Sequence, residues 1–389
     1  MKDITSLKSY LPELETQLKK YRELLLANLV MIGEIPAPTF NEERRIEFIL
    51  NRFDEAGLTD SSIDDSGNGV GILTGKADKD ERRAILVNAH ADTIFSAKTD
   101  HTMEISSDSI TGPGVADNSL GLAALATLPY ILEELEIEFN NNLILLAGVK
   151  SLGRGNLEGI KFFLENSPFD IQSAICLEGI QLGRLSYSSI GMFRGEITCQ
   201  VPEGYDWSRF GDASAILTLV EVINKINDMR LPRRPRTSIR MGQISGGTAI
   251  NTIARDATLG FEVRSESQKV VEQAAETIQD IVMEVSSRTG DQVELDIFSK
   301  RTPGGIPYAH PLTGCARNVM ESLDLEPRLS PSISELSALI DKNIPALTLG
   351  VTVGERAFKT NETIQIEPIF KGLAQIIGTL IAVDGGHCE

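Results

Sequence analysis

The sequence predicts an α/β protein: a mostly parallel sheet with helices on both faces, into which a second, βαββαβ domain is inserted. Three observations carry this. Continuous apolar runs at 84–88, 143–149 and 172–177 read as strands buried on both faces. They alternate with segments of helical periodicity, the order that builds a parallel sheet. Beyond residue 184 the pattern changes to half-exposed strands and two long helices, which suits a small separate domain with an antiparallel sheet.

Taken in order, residues 5–33 carry Leu and Ile at helical spacing among many Lys and Glu, and 41–57 read as an amphipathic helix capped by Thr39 or Asn41. Strands follow at 68–74 and 84–88. Asp117 and Asn118 are expected to cap a helix over 119–134, ahead of the buried strand 143–149. A helix at 157–165 leads to the strand 172–177. In the inserted domain, strands are expected at 192–201, 237–245, 256–264 and 292–299, with helices at 213–227 and 268–287. Thr302-Pro303-Gly304-Gly305 is the link back, to helices at 311–323 and 365–383 around a strand at 345–351. The expected domains are therefore 1–185 with 302–389, and 186–301.

The bulk numbers narrow the function classes. A chain of 389 residues has room for two domains, and 41% hydrophobic residues supply a sizeable core. Lys+Arg 37 against Asp+Glu 55 gives a net charge of −18, which makes nucleic acid and anionic membrane poor partners because their phosphates repel it. The first residues show no secretory signal, and no apolar run is long enough to span a membrane. Cys176, Cys199, Cys315 and Cys388 form no CxxC pair and read as reduced thiols of a cytoplasmic protein.

Chemistry concentrates where apolar strands end, because ligands of open α/β sheets bind outside the carboxyl ends of the strands. His90 closes the 84–88 run, and Asp92 lies two residues on, placed to orient the imidazole from behind. Asp117 follows the Gly-rich loop Thr111-Gly112-Pro113-Gly114-Val115-Ala116, and Glu178 closes the 172–177 run. Alone, an Asp at a helix start is usually a cap and a Glu after a strand is usually solvated. Together, one imidazole and two carboxylates make a ligand set for zinc or another divalent cation.

At these residues the chain resembles the co-catalytic zinc metallopeptidases, the family of aminoacylases, glutamate carboxypeptidase, succinyl-diaminopimelate desuccinylase and peptidase T. His90-Ala91-Asp92 sits where that family has its His-x-Asp. The segment 114–121 (Gly-Val-Ala-Asp-Asn-Ser-Leu-Gly) matches its loop with the metal-bridging Asp. The segments 246–253 and 261–264 match strands of its lid, and 204–216 resembles the lid segment that normally opens Gly-His-Ser. The resemblance implies a zinc-peptidase-like catalytic domain, a ferredoxin-like lid that forms a homodimer, and a cleft for a peptide or N-acyl amino acid. It implies His90, Asp117 and Glu178 as ligands of a first ion, and Asn251, Arg264 and Tyr205 as residues on the substrate side. Arg264 reads equally well as local sheet structure.

The departures are as telling. After the strand 143–149 the family places two adjacent glutamates, the general base and a ligand of the second ion; here stand Lys150 and Ser151. The family's C-terminal His ligand corresponds to Phe358, and its lid His to Tyr205. Lys150 is expected to bring a cation towards the metal charges. Losing a general base costs about 10²–10⁴ in rate, and losing an oxyanion donor about 10²–10³. The sequence therefore reads as a catalytically impaired family member with at most one zinc-like ion per chain, or none. A one-metal hydrolase with Asp92, Glu178 or another carboxylate as base, and a non-catalytic dimeric scaffold, are the alternatives. His101 and His387 read as exposed, and His310 as a helix-cap residue.

Overall fold

In the computed structural model, which describes residues 4–58, 60–78, 83–202, 214–386 and 388, the chain divides into two units, residues 1–189 with 305–389 and residues 190–304. The first is built on an eight-stranded sheet. Its centre is four parallel strands in the spatial order Asn142–Gly148, Ala84–His90, Ile171–Ile180 and Ala346–Thr352. The strand Ala84–His90 is buried at every position. That is why it reads as an uninterrupted apolar run and not as an alternation.

Alternate side chains of these strands feed two cores. Ile85, Val87, Leu143, Leu145, Ile175 and Leu177 pack with the apolar helix Leu120–Glu134, with Arg22–Gly33 and with Pro368–Asp384. Leu86, Ile144, Leu146, Ala174 and Cys176 face the other way, onto Leu157, Ile160, Phe163 and Leu339. Helices thus cover both faces, as the strand pattern requires. Each fully buried Leu or Ile side chain contributes roughly 1.5–3 kcal/mol.

Antiparallel strands flank the parallel centre of the sheet, and Arg328–Leu329 closes one edge in parallel with Arg184–Ser186. Asp60–Ile63 and Gly69–Leu73 extend it on one side, and Arg184–Ser186 on the other. A small second sheet, Gly354–Glu355, Thr363–Gln365, Ser109–Thr111 and Glu104–Ile105, links the Gly-rich loop to the C-terminal part of the unit. The strand at 68–74 was read from sequence, but the strands of the small second sheet were not, because two or three residues carry no measurable period.

The second unit has the order strand, helix, strand, strand, helix, strand: Gly191–Gln200, Ala215–Asn227, Thr237–Gly246, Asp256–Ser265, Gln268–Thr289 and Gln292–Arg301. Its sheet is antiparallel throughout. Phe193, Ile197, Leu259, Phe261 and Val263 form one core with Leu219, Val222, Ile278 and Val282 of the helices. The edge strand Thr237–Gly246 is exposed from Arg240 onward.

Three expectations need correction. The thiols are not all separate: Cys315 and Cys388 form a disulfide with Cα atoms 5.9 Å apart, while Cys176 and Cys199 are free and buried. A sequence separation of 73 hid the pairing. His101 is buried, and its Nε2 donates to the Ser96 carbonyl at 3.1 Å. Asp117 and Asn118 do not cap the next helix; both have non-helical backbone inside a π-helical turn, Val115–Ser119. His310 does cap the helix Pro311–Ser322, its Nδ1 accepting from the Leu312 N–H. His387 lies outside the described residues.

Candidate metal centre

His90 is the last residue of its strand and is 3% exposed. Its Nδ1 is held from behind by Asp92, 2.9 Å from the backbone oxygen and 3.4 Å from Oδ1. Asp92 is itself fixed: Oδ2 accepts from Thr39 Oγ1 and from the Leu152 N–H, each at 2.8 Å. Thr39, read from sequence as a helix cap, thus serves the carboxylate behind the histidine. With Nδ1 occupied, Nε2 faces Asp117, 3.1 Å from Oδ1.

Asp117 is free for this role because the neighbouring residue takes the structural work. Asn118 Nδ2 donates to the Leu177 carbonyl at 2.8 Å, pinning the turn to the strand that carries Glu178. The peptide bond between Asp117 and Asn118 is cis. Gly179 allows the approach, since a Cβ there would collide with the Ala116 carbonyl. Glu178 lies inside the strand Ile171–Ile180, paired with Gly350, and does not end it. Donor atoms of His90, Asp117 and Glu178 all lie within 4.8 Å of one another.

The electrostatics match a cation site. Burial opposes charge on His90, but the hydrogen bonds to Asp117 and Asp92 outweigh it and hold the imidazole well above its ordinary value. Burial pushes Glu178 up to about 7, with Arg184 pulling the other way and Asp117 adding to the rise. Carboxylates crowded out of water repel each other and take up a proton when no metal neutralises them. One nitrogen, two carboxylate oxygens and an outer carboxylate behind the imidazole suit Zn²⁺, Mn²⁺ or Co²⁺.

The opposite flank differs. Residues 149–151 follow the strand Asn142–Gly148, and Lys150 has a positive φ of 53°. Asn68 Oδ1 accepts from the Val149 N–H at 3.0 Å, and Glu42 Oε1 from the Lys150 N–H at 2.9 Å. The Lys150 Nζ is bonded to Glu158 Oε1 at 2.7 Å. Glu158 therefore partly offsets the charge of the cation that the sequence placed near the metal positions. Ser151 Oγ is buried without a partner. Phe358 is 64% exposed, and its N–H donates to Glu362 Oε1 at 2.7 Å. The other oxygen of Glu362 accepts from the Ala116 N–H at 3.0 Å.

Of the residues named from sequence, the structure brings His90, Asp92, Asp117 and Glu178 together. Asn251 and Arg264 belong to the second unit; Asn251 is exposed, and Arg264 Nε is bonded to Glu262, which also binds Arg194 Nε at 2.8 Å. Tyr205 lies outside the described residues. Sequence reasoning passed over Arg184, Glu42 and Glu362. Only the tertiary fold shows what they hold.

Residues 211–289 match the family profile of the M20 peptidase dimerisation domain. Among solved structures, a tripeptidase of Staphylococcus aureus superposes with a TM-score of 0.74 at 19% identity, covering 94% of this chain and 99% of that one. The di-peptidase Dug1p of Saccharomyces cerevisiae gives 0.80 at 14% identity, covering 96% and 98%. This chain carries an M20 dimerisation domain within an M20 peptidase fold. The family resemblance read from the motifs is borne out. The YXEP protein of Bacillus subtilis, described as a dinuclear metal-binding peptidase of the M20 family, aligns at 0.61 and 14% identity, over 92% of this chain and 99% of that one. Comparison with curated proteins found no match by sequence.

Proposed function

We propose that this M20-fold chain binds one divalent cation through His90, Asp117 and Glu178, and uses the site to hold a peptide or N-acyl amino acid with little or no hydrolysis. The observation that carries the reading is the asymmetry around His90. Three donors converge within 4.8 Å, while the positions at which the resemblance puts the general base and the second ion's ligands carry Lys150 bonded to Glu158, Ser151 and an exposed Phe358. A bound cation would supply Lewis acidity to a ligand oxygen. His90 would give Nε2, with Asp92 fixing the ring. Asp117 and Glu178 would give one oxygen each.

A homodimer through the second unit is part of this proposal. Its support is the dimerisation-domain match together with exposed apolar side chains in that unit: Leu217, Ile244 and Ile250 are 66%, 60% and 108% exposed. A second reading, one-metal hydrolysis, has one observation in its favour. Glu335 is 3% exposed, its Oε1 has no partner, and its charge acts on both His90 and Glu178. In this reading Glu335 would serve as the base.

Metal analysis of the purified chain tests the proposal, with about one ion per chain expected; two tightly held ions overturn it. An assay on dipeptides and N-acyl amino acids with added Zn²⁺, Mn²⁺ or Co²⁺ separates the readings. Robust turnover that vanishes in both His90→Ala and Glu335→Gln favours the one-metal hydrolase.

A further inference from the structure

Arg184 stands beside Glu178, and the way it is held is informative. Its Nε donates to Ser186 Oγ at 3.0 Å and its Nη2 to Ser332 Oγ at 3.2 Å. Both serines are buried, and Ser332 Oγ is itself 2.7 Å from Ser334 Oγ. The remaining terminal nitrogen, Nη1, lies 3.7 Å from Glu178 Oε1, with the two side chains 15% and 16% exposed. An arginine whose task is to pair with a carboxylate closes to about 2.7–2.9 Å, often with two parallel bonds. Here the fork is spent on the serines. The guanidinium is parked near Glu178 without consuming its lone pairs.

Such a placement has an electrostatic meaning. A fixed positive charge next to a ligand carboxylate partly neutralises it and repels any further cation on the same group. Lys150, on the altered flank, is already bonded to Glu158. We infer that Arg184 tunes the affinity of the cation site: it partly neutralises Glu178 from the protein side and loosens the hold on the divalent ion. This rests on the one-cation reading given above. Arg184 is a positioning residue in this scheme, acting on the ion through Glu178.

The test is calorimetric titration of the full-length chain with Mn²⁺ at one fixed pH, with bound metal counted after dialysis. Arg184→Gln is expected to bind its first ion at least about tenfold more tightly than the wild type, since a like charge close to a ligand is removed. Arg184→Lys keeps the charge and is expected to stay within about threefold of the wild type. Added Mn²⁺ should raise the melting temperature of Arg184→Gln more than that of the wild type. If Arg184→Gln fails to fold, Arg184→Met carries the same expectation. An unchanged or weaker affinity in the neutral variant overturns the inference. The wild-type stoichiometry decides the one-cation reading, and the ratio between neutral variant and wild type decides the role of Arg184. Binding to neither protein overturns both.

Discussion

On one side of His90 the turn Val115–Ser119 and the strand Ile171–Ile180 present the carboxylates of Asp117 and Glu178 to the imidazole. On the other side, residues 149–152 follow a course fixed by acceptors from elsewhere: Asn68 on Val149, Glu42 on Lys150 and Asp92 on Leu152. The first flank uses its own side chains as donors to the site. The second has its backbone clamped by other segments; of its own side chains, Lys150 bonds to Glu158 and Ser151 Oγ has no partner. The difference teaches that the second flank is free to change chemistry without changing shape. A loop whose N–H groups are satisfied from outside tolerates a Lys and a Ser where the resemblance places two glutamates.

The strongest way to break this contrast is to rebuild the second flank. The triple variant Lys150→Glu, Ser151→Glu, Phe358→His is expected to fold with a melting temperature within a few degrees of the parent, and to bind a second ion by metal analysis. Failure to fold would show that the loop depends on its present side chains after all. Next in size, His90→Ala should lower cation affinity by more than about 100-fold, and Asp92→Asn by about 10–100-fold, the usual cost of losing the partner behind a ligand histidine. Calorimetry reads both. Equal affinity in parent and His90→Ala would place the ion elsewhere.

Two smaller effects separate fold stability from site chemistry. Cys315→Ser opens the cross-link and should cost about 2–4 kcal/mol in denaturant unfolding, with cation affinity unchanged. Reduction of the parent by a thiol reagent should reproduce the loss. In the second unit, burial raises the Glu262 carboxyl, but Arg264 and Arg194 outweigh it and hold it below its ordinary value. The folded value being depressed, its stabilisation is complete above the unfolded value of about 4.3 and is lost as pH falls through the lower folded value. Glu262→Gln should therefore cost roughly 1–2 kcal/mol at neutral pH and almost nothing in strong acid; a pH-independent difference would rule this out.

The fold was legible because its centre is made of long, strongly patterned elements. The run Ala84–His90 and the helix Gln268–Thr289 leave no alternative period. The grouping of His90, Asp117 and Glu178 was anticipated from a His that closes a strand, an Asp in a Gly-rich loop and a Glu after an apolar run, although Glu178 lies inside its strand and does not end it. What escaped were interactions with no local signature. Nothing near Arg184 in sequence announces Ser332, and nothing near Glu362 announces Ala116. Asp117 was misread as a cap because an Asp ahead of an apolar helix looks the same whether or not the backbone there is helical. The cysteines were misread for a similar reason, their partner choice being set by how the last helix returns.

That return has a practical consequence. Leu11 of the first helix packs against Gly378 of the last and beside Val319, and the disulfide seals the layer. The Ile306 N–H donates to the Tyr187 carbonyl at 3.1 Å, so the chain leaves this unit and re-enters it at one spot. The unit is therefore a closed ring in its connectivity, with its beginning and end stitched to each other and its interruption pinched shut. For protein engineering, a short linker across the pinch in place of residues 190–304 is expected to leave the first unit's connectivity intact, and the same pinch is a place to graft another domain.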